Sequence, residues 1–357
     1  MEDMAMSAVP SRTFWRGRRV LLTGHTGFKG GWLAMMLHRL GAEVTGIGLA
    51  PNTTPSLYEV ADVGDICHSR FCDIRDREAL TRLVREARPE VVLHLAAQPL
   101  VRASYREPVE TFATNVMGTV HLLEALRGAA DCRVAVMVTT DKVYENREWP
   151  WPYREVDALG GHDPYSASKA ASEIAIASYR SAFLREAGIA LASARAGNVI
   201  GGGDWSEDRL LPDAVRAWQA GKALVIRNLA SVRPWQHVIE PLVGYLVLAQ
   251  ALWERPDLAG PWNFGPDTSQ SASVRDVIEI ARCAWGAADV VYGENTGPHE
   301  AGRLTLETAK ARELLDVRPR WDLEESVRRT VVWYRRLQEG APARALCEDD
   351  IAAWECA

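Results

Sequence analysis

Val20-Leu21-Leu22-Thr23-Gly24-His25-Thr26-Gly27-Phe28-Lys29-Gly30 is the stretch on which the fold turns. Its first four residues read as a short buried strand. After the glycines, Leu33, Met36, Leu37 and Leu40 recur at helical spacing, and Gly41 stands where a C-cap glycine belongs. A strand, a glycine turn and a helix at the head of a chain open a βαβ unit. The GxxGxxG spacing permits a tight turn and close backbone approach, and it leaves helix N-terminal N–H groups free for a pyrophosphate. Gly24, Thr26, Gly27, Phe28, Lys29 and Gly30 are therefore expected to hold a dinucleotide.

Outward from this unit the alternation continues. Strands are expected at 44–47, 70–72, 91–95, 134–138 and 191–194, with helical spacing over 77–88 and 109–128. Asp163-Pro164 supplies an N-cap and a first-turn proline for a helix that meets no breaker before Gly188. Beyond Gly197 the texture shifts to glycine, tryptophan and proline. The expected fold is α/β, a Rossmann-type doubly wound parallel sheet with a smaller C-terminal substrate-binding lobe. The dinucleotide domain is placed at 14–196, with some later segments returning to it, and the lobe at 197–340. Residues 1–13 and 341–357 are expected to be flexible tails.

Composition narrows the function. The chain has 357 residues, 47% of them hydrophobic and 25% charged, which is globular rather than disordered. A formal charge of −6 argues against a protein built to grip nucleic acid. Six cysteines without a CxxC pair read as free thiols of a reducing compartment. No apolar run is long enough to span a membrane, and residues 1–12 lack a secretion-signal pattern. A soluble cytoplasmic protein without a metal site is expected.

The acid that usually holds the ribose hydroxyls is missing, because the end of the second strand reads Gly46-Ile47-Gly48-Leu49-Ala50. No arginine replaces it, so the fingerprint does not choose between NAD and NADP. Asp73, followed by Ile74, could accept from the adenine amine or simply cap the next helix. Leu95, Ala96, Ala97 and Gln98 end the fourth strand with room for a ribose and nicotinamide, or pack the core.

Two groups of reactive side chains stand out. Tyr165 and Lys169 lie four apart on the capped helix and share a face, where an ammonium would stabilise a phenolate. Thr140-Asp141-Lys142 ends the fifth strand, at the sheet edge where ligands of parallel sheets bind. Thr140 can bond a sugar oxygen, Asp141 can protonate a departing hydroxyl, and Lys142 can act in a second proton transfer. Asn198 offers an amide to a sugar or phosphate, Arg209 and Arg233 can bond a diphosphate or form exposed salt bridges, and His299 is a further candidate substrate contact.

With these motifs the chain resembles the extended short-chain dehydrogenases/reductases, the NAD-dependent epimerase/dehydratase family. Within that family it is most similar to the branch that dehydrates CDP-glucose. The resemblance runs from Phe14 to about Tyr334. It rests on residues 24–30, 94–98, 139–144, 165–169, 195–205 and 233–238. It implies NAD retained through a closed redox cycle on a nucleotide sugar. Tyr165 would take the C4 hydroxyl proton during oxidation, Asp141 would protonate the C6 hydroxyl during elimination, and hydride would return to C6. An epimerase has no elimination to catalyse and would leave Asp141 without a task. Related dTDP-glucose dehydratases carry glutamate where Lys142 stands, so Lys142 is either a tuned C5 base or a support for the enolate. The family also implies a homodimer, or a dimer of dimers, formed through the Tyr165 helix, whose Ala167, Ala170, Ala171 and Ala175 are compatible with close helix approach.

Overall fold

A computed structural model describes residues 9–226, 228–286, 288–293 and 302–357. Seven parallel strands form the central sheet: β1 (Arg19–Thr23), β2 (Glu43–Gly48), β3 (His68–Phe71), β4 (Val91–His94), β5 (Val134–Val138), β6 (Ala190–Ala196) and β7 (Pro261–Phe264). Their spatial order is β7-β6-β5-β4-β1-β2-β3. The chain reverses direction of growth between β1 and β4, which opens a crevice above their C-terminal ends. The register places Thr23 beside both Ile47 and His94.

Period-two alternation sends successive side chains to opposite faces. Leu21, Ile47, Val92 and Ala135 pack beneath one helical layer. The principal helices, in chain order, are α1 (Phe28–Leu40), α2 (Arg77–Ala87), α3 (Gly118–Leu126), α4 (Pro164–Tyr179), α5 (Ile239–Glu254), α6 (Leu323–Gln338) and α7 (Ala343–Glu355). Helices α2, α3 and α4 cover the Leu21 face, and α1 and α5 cover the Val20, Leu22 and Leu93 face. Gly41 ends α1 in the left-handed region at φ 83°. Asp163 caps α4 by accepting from Ser166 N at 2.9 Å. The helical stretch leading into α3 widens to a π-type turn over Ala113–Met117, and α4 does the same over Arg180–Leu184.

Helix α5 is buried on almost every side, as befits a helix sandwiched between sheet and outer helices. A third apolar cluster, built on Leu211, Trp218, Ile226, Trp235 and Ile278, forms the core of the region beyond the crevice. Among the described residues no helix is long and apolar enough to cross a membrane.

The expected flexible tail at 341–357 is a correction, as is the end of the one at 1–13; residues 1–8 lie outside the described residues. Residues 343–355 form α7, and Leu346, Cys347, Ile351 and Trp354 are buried. Their i, i+1, i+5, i+8 spacing lies on one helical face that the alanine- and acid-rich composition conceals. Trp354 Nε1 donates to Glu240 of α5 at 2.9 Å, and Arg329 of α6 pairs with Asp350 at 2.9 Å. At the other end, Ser11 N donates to Gln250 at 3.0 Å, and the short helix Arg12–Trp15 buries Trp15 completely.

Candidate active site

The crevice encloses about 690 Å³ above β1, β4, β5 and β6. Its floor is the glycine turn. Gly24 sits at φ 80°, and a Cβ there would lie 2.7 Å from Ala96 N. A Cβ on Gly30 would overlap the Gly24 carbonyl, so this helix can start this close to the strand only with glycine. Thr23 ties the two strand ends together: its hydroxyl accepts from Leu95 N and Ala96 N, both at 3.2 Å, and bonds His94 Nδ1 at 2.7 Å. Burial, with the Lys169 charge, lowers His94 to about 3 and keeps the ring neutral.

This cradle fits the pyrophosphate of a dinucleotide. The N-terminus of α1 opens onto the crevice without a side-chain cap, leaving free N–H groups for an anion. Gly24, Thr26, Gly27, Phe28, Lys29, Gly30, Asp73, Ile74, Leu95, Ala96 and Ala97 all line it. Gln98 does not. Its amide donates to Thr111 at 2.9 Å and its carbonyl accepts from Leu100 N at 2.5 Å, so it clasps the loop after β4. The Asp73 carboxylate is engaged by Arg75 at 2.6 to 3.1 Å, which holds it below its ordinary range.

At the opposite end the reactive side chains converge. Tyr165 and Lys169 on α4 face Thr140, Asp141 and Lys142 across the same space. Thr140 opens a 3-10 turn over Asp141–Val143, accepting from Lys142 N at 3.4 Å. The Thr140 hydroxyl donates to Asp141 Oδ1 at 2.9 Å. Asp141 is 1% exposed, and its Oδ2 is buried without a hydrogen-bond partner.

The Tyr165 phenol differs from expectation. Burial pushes it up to about 12, the Thr140 hydrogen bond opposes this, and the Asp141 charge adds to the rise. Lys169 donates instead to the Val138 carbonyl at 3.3 Å, and burial lowers its ammonium to about 8. Lost hydration thus outweighs the Thr140 hydrogen bond and the Arg209 charge, both of which favour the phenolate.

Lys29 also belongs to this end. Its ammonium donates to Tyr245 of α5 at 3.1 Å. Burial lowers it to about 7, with Arg209 and Lys169 pushing the same way and Asp141 opposing. Arg209 pairs with Asp204 at 3.0 Å. Asn198, Arg209 and Arg233 all line the crevice, Asn198 at φ 30° and Arg233 buried. His299 lies outside the described residues.

Sequence reasoning missed what holds the Thr140 turn in place. Glu173 of α4 accepts from Thr139 at 2.5 Å, from Ser193 at 2.7 Å and from Arg195 at 2.8 and 3.0 Å. The pair is buried, with both side chains 3% exposed. The available signal was spacing, since Glu173 lies four residues after Lys169 and eight after Tyr165 on the same helical face. Tyr245 was missed because an apolar helix offers no sign that one hydroxyl faces a site.

The GDP-mannose 4,6 dehydratase family model matches residues 21–330. The CDP-glucose 4,6-dehydratase of Salmonella typhimurium is 47% identical over 91% of this chain and 92% of its own. The dTDP-glucose 4,6-dehydratase of Streptomyces antibioticus is 32% identical over 74% of this chain and 75% of its own. Among solved structures, the dTDP-glucose 4,6-dehydratase from Streptomyces venezuelae with NAD and TYD bound superposes with a TM-score of 0.78 at 25% identity. It covers 90% of this chain and 98% of its own. A UDP-glucose-4-epimerase from Stenotrophomonas maltophila, 23% identical, shares the fold at 0.78 over 91% of this chain and 100% of its own. With the family model spanning most of its length and a relative at nearly half identity, this chain belongs to the nucleotide-sugar 4,6-dehydratase family.

Proposed function

We propose that the chain is an NAD-dependent hydro-lyase that converts CDP-D-glucose to CDP-4-dehydro-6-deoxy-D-glucose. The observation that carries this reading is Asp141, an enclosed carboxylate with one unpartnered oxygen beside Tyr165 and Thr140. Sugar oxidation alone gives such an acid no task, whereas elimination requires one. The identity to the Salmonella typhimurium enzyme supports the cytidine nucleotide and the choice of glucose.

The glycine turn would hold the cofactor by its pyrophosphate, with Asp73 and Ile74 along the adenosine end. NAD, when bound, supplies the hydride acceptor for C4 and the donor for C6. Tyr165 accepts the C4 hydroxyl proton, and Lys169 orders the same face of α4. The 4-ketone acidifies C5–H, and Asp141 protonates the C6 hydroxyl as it leaves as water. Lys142 serves C5, by taking its proton or by holding the enolate charge. Arg209, Arg233 and Asn198 bind the diphosphate and sugar.

The test offers CDP-, dTDP-, UDP- and GDP-glucose to the enzyme in deuterated water and follows product mass. Loss of water with deuterium at C5, fastest for the CDP sugar, is expected. An inverted C4 at unchanged elemental composition would sink the reading.

We also propose a homodimer. Val109, Phe112, Met117, Ile174 and Phe183 are exposed on the adjoining helices around 108–117 and 174–183. A second copy of this surface would cover them. Light scattering on a Val109→Glu, Ile174→Glu double variant should give half the native mass. Six free cysteines support a reducing, cytoplasmic setting.

A further inference from the structure

We propose that the Arg102–Asp208 ion pair is a latch across the mouth of the crevice, which keeps the nucleotide sugar inside until hydride has returned to C6. The inference rests on the dehydratase reading above. Arg102 Nη1 donates to Asp208 Oδ1 at 2.9 Å, between residues 106 apart in the chain. They belong to opposite walls. Arg102 lies on a short helix, Val101–Arg106, in the connection after β4. Asp208 lies in the segment that follows β6. In the sheet, β5 stands between those two strands, and its end carries Thr140-Asp141-Lys142. Arg102, Asp208 and that turn all line one crevice. A bond between the walls therefore spans the space in which the sugar reacts.

An ion pair between two freely moving side chains contributes little, because ordering them offsets what the charges gain. Here each partner stands on a braced wall. On the Arg102 side, Leu100 N donates to Gln98 Oε1 at 2.5 Å. Ser104 Oγ, two residues beyond Arg102, accepts from Tyr165 N at 3.1 Å, which ties this wall to the catalytic helix α4. On the Asp208 side, Trp32 Nε1 donates to the Gly202 carbonyl at 2.9 Å. Asp204 accepts from Ser206 N and from Arg209, both at 3.0 Å. Arg216 donates to the Trp205 and Ser206 carbonyls at 2.9 and 3.1 Å. Asp213, next along this wall, is engaged by Arg216. The latch side chains are 28% and 37% exposed, so water can replace the bond when the mouth opens.

The reaction gives such a latch a task. Between loss of hydride from C4 and its return to C6, the sugar is a ketone and the cofactor is reduced. A ketone that escaped in that interval would leave an enzyme holding reduced cofactor with nothing to accept its hydride. Closure over the sugar prevents this and keeps water from the site. The pair touches neither of the reacting carbons, so its role is to hold the mouth shut and not to take part in proton transfer.

The test separates a latch from a substrate contact. Holoenzyme is mixed rapidly with CDP-4-deoxy-4-fluoroglucose, which cannot be oxidised at C4, and binding and release are followed by tryptophan fluorescence. Asp208 sits at φ 57°, so it is replaced by asparagine, which tolerates that backbone. A latch must open in both directions. Arg102→Ala and Asp208→Asn should therefore each speed association and dissociation about fivefold, with affinity changed by less than about twofold. The double variant should also be about fivefold faster, not about 25-fold, because the two residues act through one bond. With CDP-glucose, each variant should release CDP-4-ketoglucose and accumulate reduced cofactor, read by mass and by near-ultraviolet absorbance. Rates equal to those of wild type overturn the latch. So does a double variant near about 25-fold, the product of two independent effects. A loss of affinity confined to Arg102→Ala overturns it too, by making the arginine a substrate ligand. If the wild type binds the analogue yet does not dehydrate CDP-glucose, the functional reading falls, while the rate comparison still decides the latch.

Discussion

Gly197 and Asp141 are fitted to each other: a Cβ on Gly197 would overlap the Asp141 carboxylate. The glycine ends β6 beside the turn that ends β5, so the acid occupies space that any other residue would fill. Gly197→Ala is expected to displace the carboxylate, destabilising the fold by about 1–3 kcal/mol. Dehydration should fall far more steeply than thermal stability, and assays of both on one preparation check this. Unimpaired turnover would mean that Asp141 tolerates displacement.

Glu173 binds three elements into one block behind the site. Burial alone would raise its carboxyl, but Arg195, Thr139 and Ser193 together hold it below its ordinary value of 4.5. A depressed acid contributes stability that is present above pH 4.5 and lost as pH falls through the lower folded value. Glu173→Gln strands a buried guanidinium, at a cost of roughly 3–5 kcal/mol. Denaturant unfolding should show that loss at neutral pH and a smaller gap between variant and wild type in acid.

Glu240 has the opposite sign. One of its oxygens accepts from Arg320 N, Trp321 N and Trp354 Nε1 at 2.9 to 3.1 Å, yet burial raises it to about 7. A raised acid contributes stability that is full below its ordinary pKa and lost as pH rises through the folded one. Glu240→Gln keeps the accepting oxygen without the charge. Its melting temperature should match wild type near pH 5 and exceed it near pH 8; a constant difference across that range would refute the assignment.

Trp354 tests the C-terminal helix. It is 2% exposed against α5 and donates to Glu240. Trp354→Ala should cost about 3–5 kcal/mol in equilibrium unfolding. A cost below 1 kcal/mol, on the order of a surface substitution, would return this segment to the status of a tail.

The amino-acid order by itself determined the sheet and the floor of the site. Apolar runs of strand length, the 3.6-residue stripe of α1, and Gly24, Gly30 and Gly41 at their special positions are local signals, each readable within a dozen residues. The same holds for the Asp163 cap that starts α4 and for the placement of Thr140-Asp141-Lys142 at a strand end. What only the tertiary structure decided depends on residues far apart in the chain. Gln98 turned inward to Thr111, Lys29 reached Tyr245, and a C-terminal helix packed on Glu240 where composition suggested a loose end. The ionisation of Tyr165 belongs to the same class. Its spacing from Lys169 is written in the sequence, but how much water surrounds the phenol is set by every element that closes over it, and desolvation proved the larger effect.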